Sequence, residues 1–289
     1  MLLPAAVYPA KRNTKPEELP LPNIPGDAHI AIKVPEQTSV VYHAKVNYDR
    51  IDVGHGSFLY PAPDAASFIV GVLTHALLVG SMKDKKKKEK QLAADTMLSP
   101  YQAVIENFHY DELLAGSISV FEADKNDDST ISNFDIRQGD FVLETAPVFL
   151  MLPTEDALVI QNTVALYSNG NPEKLLYRNS VEVVSDKPLE NYKRSKWLEN
   201  DGEKLKEVST QLYAQSLKIV MDSIMNRHPR RKMPQQTFRY YEGQRKKIER
   251  GELVVQDCRR FLMKTLWNTL KSAQIYQKEK DVEACLKLQ

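Results

Sequence analysis

The sequence contains few of the residues that build compact metal or redox centres. Among its 289 residues there are only two cysteines, Cys258 and Cys285, and six histidines that are scattered singly. Two cysteines cannot form a cysteine-based zinc site, and no HExxH pair of histidines is present. We expect two free thiols, because a bridge between these cysteines would require an oxidising compartment.

The chain also lacks an excess of charge of one sign, since 39 basic residues nearly balance 38 acidic ones. The chain as a whole therefore has no large net charge that would attract nucleic acid or anionic lipid. Two basic clusters, RHPRRK (227–232) and RYYEGQRKKIER (239–250), belong to no recognisable nucleic-acid module. Charges of this kind also prevent a sheet edge from pairing with other chains. We expect no nucleic-acid partner.

Motifs of common enzyme chemistry are missing as well. There is no GxxxxGK[ST] phosphate loop and no GxGxxG after a strand, and GHGS (54–57) lacks the strand–elbow–helix context of a hydrolase serine. We therefore expect no catalytic residues. The alternative is a hydrolase whose site follows no familiar motif.

The N-terminal residues 1–37 are rich in proline. Prolines at 16, 20, 22, 25 and 35 exclude regular helix and central strand. The pattern predicts an extended arm across a partner or the protein's own surface, with a disordered leader as the alternative. The first residues do not form a signal peptide, so we expect either a cytoplasmic protein or a processed chain.

Residues 65–82 carry no formally charged side chain, and six lysines follow between positions 83 and 90. This layout is typical of a membrane span with a positive stop, but the segment is short and diluted by small and polar residues. We expect a buried or membrane-surface helix at 65–82 with a solvated, lysine-rich end. Contact of residues 65–90 with anionic lipid is the functional alternative.

The acidic stretch DKNDDSTISNFD (124–135) follows part of the EF-hand pattern for a calcium loop. Position 6 of the motif is serine rather than glycine, position 12 is aspartate rather than glutamate, and the next residues are strand-like. The pattern favours an acidic surface turn, and a Ca²⁺-binding module is the alternative. The candidate ligands of that site are Asp124, Asn126, Asp128, Thr130 and Asp135.

Alternating apolar residues predict a strand after residue 38 and an antiparallel meander of three strands in 141–184, because PTED and SNGNPE are turns. A helical period follows to residue 228, with Asn200 or Asp201 as its cap. We expect an α+β fold of antiparallel sheet covered by a few long helices. Its parts are the arm 1–37, a core 38–235, and a strand-rich segment 236–289 with a terminal helix.

The order of these features resembles a group of uncharacterised bacterial envelope lipoproteins. The resemblance lies in VVYHAKVNYDRIDVG, in EDALVIQNTVALY with KWLENDGEKLKEVSTQLYAQSL, and in RYYEGQRKKIERGELV before RFLMKTLWNTL. The group's leader and lipid-bearing cysteine are absent. The resemblance implies a non-enzymatic periplasmic, outer-membrane-associated protein that acts with other envelope proteins in a transport or secretion assembly.

Overall fold

A computed structural model describes residues 21–25, 28–35, 38–46, 82–123, 140–188, 194–228 and 233–277, and also residue 285. The acidic loop 124–135, the apolar residues 65–81, GHGS and most of the proline-rich arm lie outside these residues. The terminal helix also lies outside them, apart from Cys285. What the sequence indicates for these segments therefore stays a prediction.

Nine strands form one mixed sheet in the order β1-β3-β4-β5-β9-β8-β7-β6, and β2 also pairs with β3. The expected meander is present, because β3, β4 and β5 pair antiparallel. The expectation of an antiparallel sheet is wrong elsewhere, since β1 and β2 run parallel to β3 and β5 runs parallel to β9. Turn sequences reveal hairpin partners only, whereas parallel partners lie far apart in the chain. The strands are β1 (Ile30–Lys33), β2 (Val41–Ala44), β3 (Phe141–Met151), β4 (Leu158–Ser168), β5 (Asn171–Val184), β6 (Gln235–Glu242), β7 (Arg245–Gln256), β8 (Arg260–Thr265) and β9 (Leu270–Gln274).

The helices of the α+β fold are α1 (Met82–Asp95), α2 (Gln102–Glu106), α3 (Tyr110–Ala123) and α4 (Glu199–Ile224). Short 3-10 turns precede α2 and α4. Helix α4 contacts α3 and also β4 and β5 of the sheet. Within the described part of the chain, no helix combines the length and apolar character that crossing a membrane requires.

Tyr110 fills a gap along the edge of β3. β1 pairs with residues 141–144 and β2 with residues 148–151, so Pro147 faces neither strand. The Val41 N–H donates to the Tyr110 hydroxyl at 3.2 Å, and this hydroxyl donates to the Pro147 carbonyl at 2.7 Å. The N–H that proline lacks would point to the same gap as its carbonyl. β3 therefore keeps its pairing with β4 despite a proline in its middle.

Two hydrogen-bonded polar pairs set the position of α4 on the sheet. The hydroxyls of Tyr213 and Thr145 lie 2.6 Å apart, and the Asn162 side-chain amide donates to Ser216 Oγ at 3.1 Å. All four side chains are buried. Because a buried polar group without a partner costs about 1–3 kcal/mol, sliding the helix along the sheet is unfavourable.

The four C-terminal strands fold so that the segment after β9 contacts β6, the first of them. β6, β7, β8 and β9 pair antiparallel in sequence order. Just after β9, the Tyr276 N–H donates to the Arg239 carbonyl at 2.9 Å, and Ile275 forms a bridge with Tyr240 of β6. These four strands contribute to a second apolar core, which includes Phe261 and is distinct from the main core against α4.

Cys258 and Cys285 form a disulfide, with Cα atoms 5.6 Å apart. The expectation of two free thiols is therefore wrong. Sequence separation alone gave no sign of the bridge, because the two cysteines meet only once the strands between them have folded. The bridge ties a tail residue to the connection between β7 and β8.

The first turn of α4 is left-handed. The φ angles of Asn200, Asp201 and Gly202 are 51°, 54° and 78°, and the right-handed helix starts only after them. The sequence predicted Asn200 or Asp201 as an ordinary helix cap. That prediction is wrong, because both residues are left-handed. Asparagine and aspartate tolerate this conformation better than other side chains, and glycine tolerates it best. A Cβ atom at position 202 would lie only 2.3 Å from the Val104 side chain.

We expect Gly202→Ala to lower the free energy of unfolding by about 2 kcal/mol or more, because it adds backbone strain and a clash with Val104. Gly170→Ala is the matched control, since nothing lies within 4 Å of a Cβ atom there. Urea unfolding of both variants measures the difference. Equal stability of the two variants would contradict this account of the helix start.

Candidate functional site

A groove of about 550 Å³ runs beside the N-terminal half of α4. We call it the α4 groove. One wall is α4 from Asn200 to Gln215, and the opposite wall is formed by residues 185–188, which follow β5. Its volume lies within the range of ligand pockets. Charged side chains of both signs line it, including Asp186, Glu203, Glu207, Lys187, Lys204 and Arg260.

Arg260 is the most firmly held charge of the α4 groove. Its guanidinium pairs with the Asp186 carboxylate and donates to the Val184 carbonyl at 2.7 Å. Burial lowers the pKa of Arg260, and the neighbouring Asp186 works against that shift. The side chain therefore ties β8 to the end of β5 and supports the wall of the groove.

Trp197 lines the same groove but is only 3% exposed, so it supports the wall of the groove. Its ring nitrogen donates to the Glu155 carbonyl at 2.6 Å, and the Glu155 carboxylate accepts a hydrogen bond from the Tyr101 hydroxyl. Glu155 has a φ of 54° in the turn between β3 and β4. Trp197 and Tyr101 thus both bond to Glu155. This residue links the turn between β3 and β4 to the segment just before α4.

The predicted calcium ligands cannot be placed in this framework. Asp124, Asn126, Asp128, Thr130 and Asp135 all lie outside the described residues. Within the residues that are described, no group of three or more His, Cys, Asp or Glu side chains could hold a metal ion. The Ca²⁺ hypothesis therefore stays a prediction from the sequence.

His43 and Asp95 form a partly buried pair that sequence reasoning missed. His43 Nδ1 lies 2.8 Å from Asp95 Oδ2, and the Ala44 N–H donates to Asp95 Oδ1 at 2.7 Å. Burial acts to raise the pKa of Asp95, but these hydrogen bonds outweigh burial and lower it. In the described structure no hydroxyl or thiol bonds His43 Nε2, so the pair lacks the nucleophile of a hydrolase triad.

A cluster of five charged side chains lies where β5 meets β9. Glu182 and Lys271 stand opposite each other in the parallel register, and Lys271 Nζ lies 3.1 Å from Glu182 Oε1. Lys271 also donates to Glu249 Oε2 at 2.6 Å. Lys45 pairs with Glu242 and lies 3.7 Å from Glu182. We call this group the β5–β9 ion cluster.

The ion cluster determines the charge state of Glu182, whose side chain is 18% exposed. Burial acts to raise its pKa, but Lys271 and Lys45 outweigh burial and lower the pKa to about 2. The resulting stabilisation, about 3 kcal/mol, is present above the usual glutamate pKa of 4.5. It is lost as the pH falls from that value through about 2, because the carboxylate then becomes protonated.

The β5–β9 ion cluster does not line the α4 groove. Shifted pKa values often mark catalytic groups, but structural ion pairs shift pKa values as well. Each carboxylate of this cluster lies near a lysine, and Lys247, 3.3 Å from Glu242, gives the three carboxylates a third cation. The geometry therefore favours a structural role for the cluster.

We expect Lys271→Met to lower the free energy of unfolding at pH 7 by about 3–5 kcal/mol, because it leaves the buried Glu182 carboxylate without its nearest cation. Adding Glu182→Gln should recover much of this loss. At pH 3 the deficit of the single variant should narrow, since Glu182 then takes up a proton more readily. Urea unfolding at both pH values measures these effects.

Lys204→Met is the control for this cycle, because Lys204 is an exposed lysine of α4 whose ion pair contributes little. Additive losses in the double variant, with no recovery, would show that Glu182 and Lys271 do not depend on each other.

Comparisons with known proteins give no indication of the function. No family model, curated protein or solved structure matches the chain. The α4 groove, the ion cluster and the disulfide are therefore the observations from which a function can be inferred.

Proposed function

We propose that this protein is a non-enzymatic interaction protein of the bacterial envelope, periplasmic and associated with the outer membrane. It serves as a subunit or accessory component of a transport or secretion assembly. The observation that carries the proposal is the disulfide between Cys258 and Cys285. Disulfides persist in the periplasm and are rare in cytosolic proteins. The resemblance of the sequence to envelope lipoproteins supports the same compartment.

Three observations support binding over turnover. Two carboxylates with lowered pKa values, Glu182 and Glu242, are paired with lysines in the ion cluster. The His43 pair has no nucleophile among the described residues. In the α4 groove, Arg260 is held by Asp186 and a carbonyl oxygen. The alternative, a hydrolase, would require catalytic groups that converge in one cavity.

The proposal takes α4 and the other helices as the cover of the sheet's apolar face and the α4 groove as the contact site for an envelope partner. Exposed side chains that line the groove, such as Lys204 and Gln211, are available to a partner, whereas Trp197 and Arg260 support its walls. The charges of both signs along the rim can pair with a partner of mixed charge, which favours orientation and specificity. An extended segment of another envelope protein fits these properties.

If the protein resides in the periplasm, Cys258 and Cys285 should be oxidised in the cells that make it. After acid quenching, an alkylating reagent should modify neither cysteine until a reductant is added. Fractionation should recover the chain with the outer membrane or periplasm, and mass spectrometry should read its N-terminus. Recovery of a cytoplasmic chain with two freely alkylated thiols would contradict the proposal.

If the α4 groove binds an envelope partner, a photo-cross-linking amino acid at Gln211 should form an adduct with an envelope protein in intact cells. Gln211 is exposed and lines the groove. The matched control is the same amino acid at Gln102, an exposed residue of α2 outside the groove. Equal adducts from both positions, or none from Gln211, would argue against this contact site.

A further inference from the structure

Strand alternation gives the hairpin of β6 and β7 an outer face rich in cations. Arg239 and Tyr241 of β6 lie on this face, and Lys246, Ile248 and Arg250 of β7 lie beside them. In the register, Tyr241 pairs with Lys246 and Arg239 pairs with Ile248. The three cations are exposed. We call this surface the β6–β7 outer face.

Two of the three acidic residues of the same hairpin point the other way. Glu242 and Glu249 lie in the β5–β9 ion cluster, where Glu242 pairs with Lys45 and Lys247 and Glu249 pairs with Lys271. Glu252 is the acidic side chain on the outer face, at the far end of β7. Among the described residues, no carboxylate forms an ion pair with Arg239, Lys246 or Arg250. The outer face is therefore net positive although the whole chain is nearly neutral.

Two tyrosines stand at one end of this face, and an apolar side chain stands in its middle. The rings of Tyr241 and Tyr276 lie 4.8 Å apart. Lys187 Nζ lies 4.9 Å from the centre of the Tyr241 ring, and Lys246 Nζ lies 4.4 Å from that of Tyr276. Tyr276 is 42% exposed and Ile248 is 62% exposed. Ile248 thus adds an exposed apolar side chain to a surface that is otherwise cationic and aromatic.

We infer that the β6–β7 outer face docks on the surface of an anionic lipid bilayer. Lysine and arginine attract anionic headgroups, tyrosine favours the boundary between headgroups and acyl chains, and Ile248 can enter the apolar region beneath. This combination of charge complementarity and an exposed apolar residue fits a bilayer better than an acidic protein. None of the five side chains that define this face lines the α4 groove, and Lys187 lies at the border between the two surfaces.

The arrangement of the tyrosines argues against single-stranded nucleic acid as the occupant. Base stacking needs an open ring face on the protein. Here each ring already contacts a lysine ammonium, and the two rings contact each other. The aromatic surface is thus occupied by cations, which leaves the ring edges and hydroxyls for the headgroup region.

Vesicle flotation with the full chain tests the inference. The chain should float with vesicles of phosphatidylcholine and phosphatidylglycerol, and not with phosphatidylcholine alone. The double variant Lys246→Glu, Arg250→Glu should bind the anionic vesicles at least about 25-fold more weakly, since each cation near the surface contributes about a fivefold factor. Ile248→Ser should also weaken binding, at unchanged charge.

Lys174→Glu with Arg227→Glu is the matched control, because it reverses two exposed cations that lie on neither the outer face nor the α4 groove. It should bind vesicles as the parent chain does, and the thermal midpoint of every variant should confirm folding. Equal weakening in the control, binding that survives the outer-face variant, or no effect of Ile248→Ser would overturn the inference. Retention by single-stranded RNA in place of anionic vesicles would overturn it as well.

Discussion

The parallel pairing of β5 with β9 joins the two halves of the sheet, and the ion pair between Glu182 and Lys271 lies at that joint. On one side is the meander that contacts α4, and on the other are the closed C-terminal strands. Only three residue pairs form the parallel register, Val181 with Leu270 through Val183 with Ser272. The side chains that reach across it come from β6, β7 and the end of β2, so several distant segments depend on this one contact.

The α4 groove depends on that joint as well. Arg260 of β8 forms an ion pair with Asp186, which lies two residues after the end of β5. The pairing of β5 with β9 therefore also positions this wall of the groove. At the other side, the left-handed start of α4 and the contact between Trp197 and Glu155 set where the helix begins. Hydrogen bonds and ion pairs thus hold both walls of the groove, which reduces the ordering cost of binding a partner.

The sequence predicts features that depend on near neighbours and misses those that depend on distant ones. PTED and SNGNPE predicted the hairpins of β3, β4 and β5, and the helical period predicted the body of α4. Glu182 occupies a polar position in an alternating strand, which is also the pattern of a solvent-facing residue. Its burial depends on Lys271, a residue whose place beside β5 no local pattern shows.

The same limit applies to the candidate site. Trp197 and Arg260 are far apart in the sequence and belong to no motif, so the α4 groove could not be predicted. Asp95 reaches His43 only because α1 lies beside the end of β2. The disulfide needs the fold of β8 and β9 to bring its cysteines together.

The sheet topology implies an order of folding. The hairpins of the meander can form as soon as they leave the ribosome or a translocation channel, because their partners are adjacent in the chain. β9, by contrast, follows β5 by roughly 90 residues and is the last of the described strands to emerge. Until β9 has been synthesised, the edge of β5 that it covers is unpaired, and Lys271 is not yet opposite Glu182. An unfinished chain therefore exposes a strand edge prone to pairing with other chains, and completion of the C-terminal strands removes that hazard.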